Sequence, residues 1–76
     1  MYYVYILKNT RTNELYYGYT NNIERRIAEH SRKQPQELVY YEAYKSESDA
    51  RNREMKLKHH AQALTALKGR LSESLK

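Results

Sequence analysis

The N-terminal part of the chain has a pattern that predicts a β-hairpin. Residues 2–7 are apolar or aromatic at both odd and even positions, so both faces of an extended strand would be covered and the strand would be central. A polar, turn-rich segment follows at residues 8–14, and β-forming residues return at 15–20. The two strands are therefore expected to pair through a loop longer than the tight two-residue kind.

A helix is predicted after the hairpin. Asn21 or Asn22 would open it, and Asn21 with Glu24 has the spacing of a capping box. Four residues recur at helical intervals and define the stripe that packs on the sheet: Ile23, Arg26, Ile27 and His30. Residues 31–36 are expected to end the helix in a basic loop that carries the only proline.

The pattern of the second half of the chain predicts one more strand, followed by one or two helices. Residues 37–44 are rich in β-formers and should form a third strand. The Ser-x-x-Asp capping pattern at residues 46–49 predicts a long helix from there to about His59. Residues 61–67 either extend this helix or form a short final one, with Gly69 as its stop.

The predicted order of elements is ββαβα(α), which indicates an α+β fold with a small three-stranded antiparallel sheet flanked by helices. At 76 residues we expect a single domain over 1–76. Hydrophobic residues make up only 39% of the chain, so the core must be small. All nine aromatic residues are Tyr, and some of these phenol rings must therefore supply the core.

The composition of the chain excludes several kinds of site and favours one class of partner. The absence of Cys excludes disulfides, a thiolate zinc site and a cysteine nucleophile. The apolar run at the N-terminus is too short to cross a bilayer, so we expect a cytoplasmic protein with no membrane partner. The formal net charge of +5 favours a polyanionic partner such as nucleic acid.

Charged residues occupy positions where the pattern calls for apolar ones. Arg26 and His30 share the stripe of the first helix, and Glu54 lies in the packing stripe of the second, between Ala50 and Leu57. A charge on a packing face needs an opposite charge, an anion or water. Two alternatives stay open: a buried Glu54–Arg26 pair that only holds the fold, or a polar site that binds a metal ion and an anion.

The hairpin adds phenols to this polar set. Tyr5 lies in the first strand and Tyr16 in the second, just before Gly18. A glycine inside a strand often marks the close approach of a ligand or of another part of the chain. Residue types and spacing alone thus predict a mixed polar site on a small scaffold of strands and helices.

These motifs resemble the GIY-YIG nuclease superfamily, and specifically its small standalone bacterial members, the UPF0213-like group. The signature strands stand here as Tyr3-Val4-Tyr5 and Tyr16-Tyr17-Gly18. The segment at residues 20–30 matches the family's first helix with its Arg and His, and residues 46–58 match the segment that carries its acidic residue. The resemblance spans nearly the whole chain.

The resemblance implies a metal-dependent endonuclease that hydrolyses phosphodiester bonds of nucleic acid, with DNA as the first-choice substrate. Arg26 would hold the scissile phosphate, and Glu54 would bind one divalent ion, Mg²⁺ or Mn²⁺. Tyr5 would activate water, provided that nearby positive charge lowers its pKa, and Tyr16 would position the water or the phosphate. His30 is the alternative base, because imidazole titrates near neutrality.

Several basic residues on exposed helix faces and in the basic loop are expected to contact the nucleic-acid backbone. The set is Arg25, Arg32, Lys33, Arg53, Lys56 and Lys58, with Arg51 as a neighbour. Contacts of this kind would give a salt-sensitive affinity that carries no sequence information.

The chain departs from the family pattern in three places. Tyr3 stands at the position of the first signature glycine, the loop after His30 is shorter than in typical relatives, and His59-His60 replaces a Gly-Trp pair. A shortened loop would remove substrate contacts, so the first alternative is a binding module that keeps the fold but cuts poorly or not at all. The second is a small basic accessory protein of ribosomes or the nucleoid. The sequence leaves open whether DNA or RNA is bound and whether the protein forms a homodimer.

Overall fold

The computed structural model describes residues 1–76, and its three strands form one antiparallel sheet in the order β2-β1-β3. In chain order the elements are β1 (Tyr2–Asn9), β2 (Leu15–Thr20), α1 (Ile23–Lys33), β3 (Gln36–Tyr44), α2 (Glu47–His59) and α3 (Ala61–Arg70). This architecture confirms the predicted α+β class and the order ββαβα(α). The final helix is separate from α2, because His60 lies between them in an extended conformation.

The predicted central position of the first strand is confirmed. β1 pairs with β2 along one edge and with β3 along the other. Residues 4–7 are exposed by no more than 2% of their surface. Because side chains alternate along a strand, β1 contributes to two layers, one on each face of the sheet.

The main apolar core lies between the sheet and the pair α2 and α3. It consists of Val4 and Ile6 from β1, Ala50 and Leu57 from α2, and Leu67 from α3. Five phenol rings pack against it without being fully buried: Tyr2, Tyr17, Tyr19, Tyr40 and Tyr44. The expectation that tyrosines supply part of a small core is therefore confirmed.

Helix α1 covers the opposite face of the sheet, where it packs against the layer that contains Tyr5. The predicted stripe is confirmed, because four α1 residues are half-buried while the rest of the helix is exposed; the four are Ile23, Arg26, Ile27 and His30. The two residues Gln34–Pro35 join α1 to β3, so the expected loop over 31–36 is wrong in its bounds. Its first half continues the helix. None of the three helices is long and apolar enough to span a membrane.

Of the two predicted candidates for the N-cap of α1, the structure uses Asn22, whose side-chain oxygen accepts a hydrogen bond from the N–H of Arg25 at 3.0 Å. The capping box of Asn21 with Glu24 is wrong. The Ser46 cap of α2 is as predicted, since its hydroxyl accepts from the N–H of Asp49 at 3.4 Å. These caps fix the residue at which each helix begins after the preceding strand.

The strand and helix ends also differ from expectation at two polar positions. Lys8 and Asn9 belong to β1, and the Asn9 carboxamide oxygen accepts from the backbone N–H groups of Arg11 and Thr12, which forms the turn into β2. Gly69 does not stop the last helix, which continues to Arg70. A helix tolerates one glycine at a moderate cost in free energy.

Candidate active site

Two phenols and an imidazole meet on the face of the sheet that α1 covers. Tyr5 lies in β1, and Tyr16 lies in β2, where it pairs with Leu7 of β1. His30 lies in the half-buried stripe of α1. The ring centroids of Tyr16 and His30 are 4.6 Å apart, and that of Tyr5 lies 6.3 and 6.2 Å from the other two. The structure therefore brings together three of the sequence-predicted site residues, and Tyr16 leaves the cluster open to solvent because it is 45% exposed.

Gly18 makes this cluster sterically feasible. Tyr5 pairs with Gly18 across the β1–β2 ladder, and its ring lies over the glycine. A Cβ at position 18 would be 2.5 Å from the Tyr5 hydroxyl oxygen and 2.7 Å from the ring carbon that carries it. The predicted close approach at this glycine is thus made by the Tyr5 side chain.

The expected activation of Tyr5 by nearby positive charge is wrong. Tyr5 is only 2% exposed, and burial, with the Tyr16 phenol as the next contributor, raises its pKa to about 12. Arg26 opposes this rise and Glu54 adds to it, but burial is the largest cause. A phenol in this state holds its proton at neutral pH and acts as a hydrogen-bond donor.

The pKa of His30, unlike that of Tyr5, is shifted in the direction that suits a base at neutral pH. Burial lowers its pKa, and the positive charges of Arg26 and Lys33 lower it further. The imidazole is therefore neutral at pH 7. Its Nε2 lies 3.4 Å from the Tyr5 hydroxyl, a long hydrogen bond in which the phenol donates if Nε2 carries no proton.

Arg26 reaches this region with a donor that is not used by the protein. Its side chain is 40% exposed, but its Nε is buried and hydrogen-bonds nothing. The single charged partner of the guanidinium is Glu29, one turn further along α1, at 3.7 Å. A buried guanidinium N–H without an acceptor is costly, which makes this side chain ready to bind an anion.

Glu54 is half-buried on α2 and does not pair with Arg26. Its Oε2 lies 3.2 Å from the ammonium nitrogen of Lys58 on the same helix, and its side chain is 19% exposed. The alternative of a structural Glu54–Arg26 pair is therefore wrong. Glu54 still belongs to the neighbourhood of the cluster, because its charge contributes to the raised pKa of Tyr5.

Comparison with known proteins identifies the fold that carries this arrangement. The profile of the GIY-YIG catalytic domain matches residues 1–68. The chain belongs to the GIY-YIG family. UPF0213 proteins of Staphylococcus haemolyticus and Natronomonas pharaonis are 43% and 42% identical to it, over 74% of this chain and 78% and 75% of the respective relatives. The solution NMR structure of a UPF0213 protein from Bacillus halodurans is similar with a TM-score of 0.60 and 32% identity, covering 97% of this chain and 93% of that one.

Two carboxylates act on the cluster of this GIY-YIG protein, Glu54 and Glu29, and Glu29 is already paired with Arg26. Its His, Asp and Glu side chains form no group of three that could enclose an ion. Mg²⁺ is commonly held by one or two carboxylates, with waters and substrate phosphates completing the shell. Glu54 fits that role, because only its Oε2 contacts Lys58 and its Oε1 is left for an ion.

One of the expected backbone-binding residues has another role. Arg53 is 25% exposed and donates from Nε and Nη2 to both carboxylate oxygens of Glu42, at 3.0 to 3.2 Å. Its guanidinium is therefore already satisfied, and the interpretation of Arg53 as part of a solvated phosphate-binding face is wrong. Five of the six predicted basic contacts remain exposed: Arg25, Arg32, Lys33, Lys56 and Lys58.

The sequence interpretation missed the Glu42 cluster in this GIY-YIG fold. Glu42 accepts hydrogen bonds from the hydroxyls of Tyr40 and Tyr44 as well as from Arg53. The alternation of β3 carries a weak signal, since residues 40, 42 and 44 share one face of an extended strand. The alternation of β3 does not indicate that Arg53 on α2 is the partner of Glu42.

Proposed function

We propose that this protein is a metal-dependent nuclease that hydrolyses phosphodiester bonds of nucleic acid, with DNA as the expected substrate. The observation that carries the proposal is the contact of the Tyr5 hydroxyl with the His30 imidazole, at 3.4 Å, in a chain that belongs to the GIY-YIG family. Arg26 on α1 offers a cation for the phosphate and Glu54 on α2 offers a carboxylate for a metal ion, and the charges of both act on Tyr5.

Arg26 is the residue we assign to the scissile phosphate. A guanidinium forks onto two phosphate oxygens and keeps its proton at every physiological pH. Its side chain is 40% exposed and its only ion pair is weak, so the accessible part of the guanidinium is free to bind a phosphate. The weak contact with Glu29 at 3.7 Å can be given up at little cost, because both groups are substantially exposed.

Glu54 is the residue we assign to the divalent ion, Mg²⁺ or Mn²⁺. An ion bound there would neutralise charge on the phosphate and stabilise the leaving oxygen. Lys58 offsets the negative charge of Glu54 when no ion is bound, and its side chain is 40% exposed and free to move away.

His30 is the base we favour for the attacking water. Its lowered pKa keeps the imidazole neutral at pH 7, which a base requires, whereas the pKa of Tyr5 at about 12 makes that phenol a poor proton acceptor. Tyr5 instead orients the imidazole through their 3.4 Å contact, with Nε2 carrying the ring proton and donating to the phenol oxygen, so that the lone pair of Nδ1 is left for the water. Tyr16 is exposed and packs on the His30 ring, so it is suited to position the water or the phosphate.

A binding module that cuts poorly or not at all is the second candidate. Two observations favour it: only Gln34–Pro35 connect α1 to β3, which leaves little chain to hold a substrate, and Tyr5 is nearly sealed from solvent. This candidate keeps Arg26 and the basic surface but needs no base.

The test is a cleavage assay on supercoiled, single-stranded and branched DNA and on RNA, with Mg²⁺ or Mn²⁺. We expect metal-dependent cleavage by the wild-type protein and a loss of about 100-fold or more in Arg26→Gln and Glu54→Gln. His30→Gln should lose about 100-fold in kcat, the lower range for a general base.

Matched substitutions outside the site control for charge and folding. Glu37→Gln and Arg11→Gln make the same changes at exposed positions and should cleave like wild type. Urea unfolding of every variant checks that the fold is kept. Binding without metal-dependent cleavage would favour the binding module, and no binding at modest salt would favour a structural accessory protein.

A further inference from the structure

A second concave region lies at the end of the sheet where β2 stops and α2 begins. This end cavity has a volume of about 200 Å³ and is lined by Tyr2, Tyr19, Thr20, Asn21, Arg26 and Glu47. At about 30 Å³ per water molecule it has room for about seven waters. That is enough for one planar heterocycle and too little for a base pair.

The end cavity borders the proposed catalytic groups without containing them all. Arg26 lines it, whereas Glu54 and His30 do not. Glu47 and Glu54 are seven residues apart on α2, a distance of about 10 Å along the helix axis. A strand whose phosphate is bound by Arg26 would therefore bring a neighbouring part of the same strand to the end cavity.

Glu47 gives the end cavity a hydrogen-bond acceptor that is held in place. Its Oε2 accepts from the Tyr19 hydroxyl at 3.1 Å, and this hydrogen bond raises the pKa of Tyr19. Its Oε1 and the second lone pair of Oε2 are left to accept from a ligand. A carboxylate in the first turn also stabilises α2, but that role does not require a phenol to orient it.

The charge of Glu47 decides which part of a nucleic acid suits the end cavity. A carboxylate repels phosphate, so a second phosphate is a poor occupant despite the presence of Arg26. A nucleobase is neutral, carries N–H donors for a carboxylate, and has a flat face that can pack on an aromatic ring such as that of Tyr2, which lines the end cavity.

We infer that the end cavity binds one unpaired nucleobase beside the phosphate held by Arg26, and that Glu47 selects guanine. This inference rests on the proposed function for the position of the phosphate. Guanine presents two adjacent N–H groups, at N1 and N2, to a carboxylate, and its O6 accepts from a side-chain amide such as that of Asn21. The other bases offer the carboxylate a single N–H position, and proteins read unpaired bases by hydrogen bonds to this edge.

The test measures binding in the absence of metal, so that cleavage plays no part. Fluorescence anisotropy compares short single-stranded oligonucleotides of thymine that differ at one central position, which carries guanine, adenine, cytosine or thymine. We expect wild type to bind the guanine oligonucleotide about tenfold more tightly than the thymine one, the discrimination typical of one good base contact. Glu47→Gln should bind all four within about twofold, and Asn21→Ala should show a smaller preference for guanine than wild type.

Glu37→Gln is the control, because it removes the same charge from an exposed position at the start of β3 and should keep the guanine preference. Equal affinities of wild type for the four oligonucleotides would overturn the inference, as would a guanine preference that survives in Glu47→Gln. A uniform loss of affinity in Glu47→Gln would also overturn it. A guanine preference in a protein that never cleaves would contradict the proposed nuclease and leave the base site standing.

Discussion

The Tyr5 phenol occupies the space where a side chain at position 18 would begin, and it can do so only because residue 18 is a glycine. The Tyr5 ring lies over Gly18 and is buried, so it has no free volume into which it could move away from a larger neighbour. The hydroxyl that contacts His30 is the same atom that lies nearest to the position of an added Cβ. Packing at Gly18 and the geometry of the candidate base are therefore coupled.

We expect Gly18→Ala to destabilise the fold by about 1–3 kcal/mol, because its Cβ would lie 2.5 Å from a buried phenol oxygen. Urea unfolding followed by circular dichroism measures the change. Gly69→Ala is the matched control: its Cβ would meet nothing within 4 Å, and alanine in a helix should stabilise by about 0.5–1 kcal/mol. A Gly18→Ala protein as stable as wild type would contradict this account of the contact.

At the scale of elements, a carboxylate links the sheet to α2. Glu42 in β3 accepts from Arg53 on α2 and from the hydroxyls of Tyr40 and Tyr44. Burial by itself would raise the pKa of Glu42, but these hydrogen bonds and the charge of Arg53 outweigh it and hold the pKa below its usual 4.5. The carboxylate is thus stabilised in its ionised form.

This link predicts a loss of stability in acid. A carboxyl whose pKa is lower in the folded than in the unfolded state stabilises the fold fully above pH 4.5, and the contribution disappears as the pH falls through the lowered folded pKa. We expect Glu42→Gln to cost about 1–3 kcal/mol at pH 7 and progressively less as the pH falls below 4.5, measured by urea unfolding across the acid range.

Glu37→Gln, at an exposed position of the same strand, should show no such pH-dependent difference. If wild type and Glu42→Gln differed by the same free energy at pH 7 and pH 3, the ionised Glu42 would not be what stabilises the contact between β3 and α2.

Periodicity predicted the elements well, and it also predicted the faces of the helices. The α1 stripe with Arg26 and His30 follows from a 3.6-residue repeat, so the structure buries those residues as expected. The contact between Glu42 and Arg53 could not be predicted in this way, because it depends on how α2 lies on β3.

The candidate site was predictable in its residue types and not in its electrostatics. Motif spacing selected Tyr5, Arg26 and Glu54, and the charges of Arg26 and Glu54 both act on Tyr5. The depth of Tyr5 depends on how closely α1 and Gly18 pack around it, which no local pattern contains. The raised pKa of Tyr5, and with it the preference for His30 as base, therefore required the structure.

At the scale of the whole molecule, the excess positive charge gives a prediction for binding. The chain carries a formal net charge of +5, and the end of α1 presents two exposed cations, Arg32 and Lys33. If they contact phosphates, Arg32→Gln and Lys33→Gln should each reduce the slope of log affinity against log salt by about 1. Anisotropy titrations of an oligonucleotide at several salt concentrations measure that slope.

Lys68→Gln is the control for this prediction, because Lys68 is exposed on α3, on the other side of the sheet from α1. We expect its slope to equal that of wild type. Equal slopes for all three variants would show that the end of α1 does not contact the polymer.

The connections of α1 have a consequence for the way a long polymer would reach the site. Two residues precede the helix, Asn21 and Asn22, and two follow it, Gln34 and Pro35. Such short tethers cannot fold over the cluster of Tyr5, Tyr16 and His30 to make a tunnel, so a strand could enter from the side and need not be threaded from a free terminus. On the proposed function, we therefore expect closed circles to be cut as readily as linear molecules.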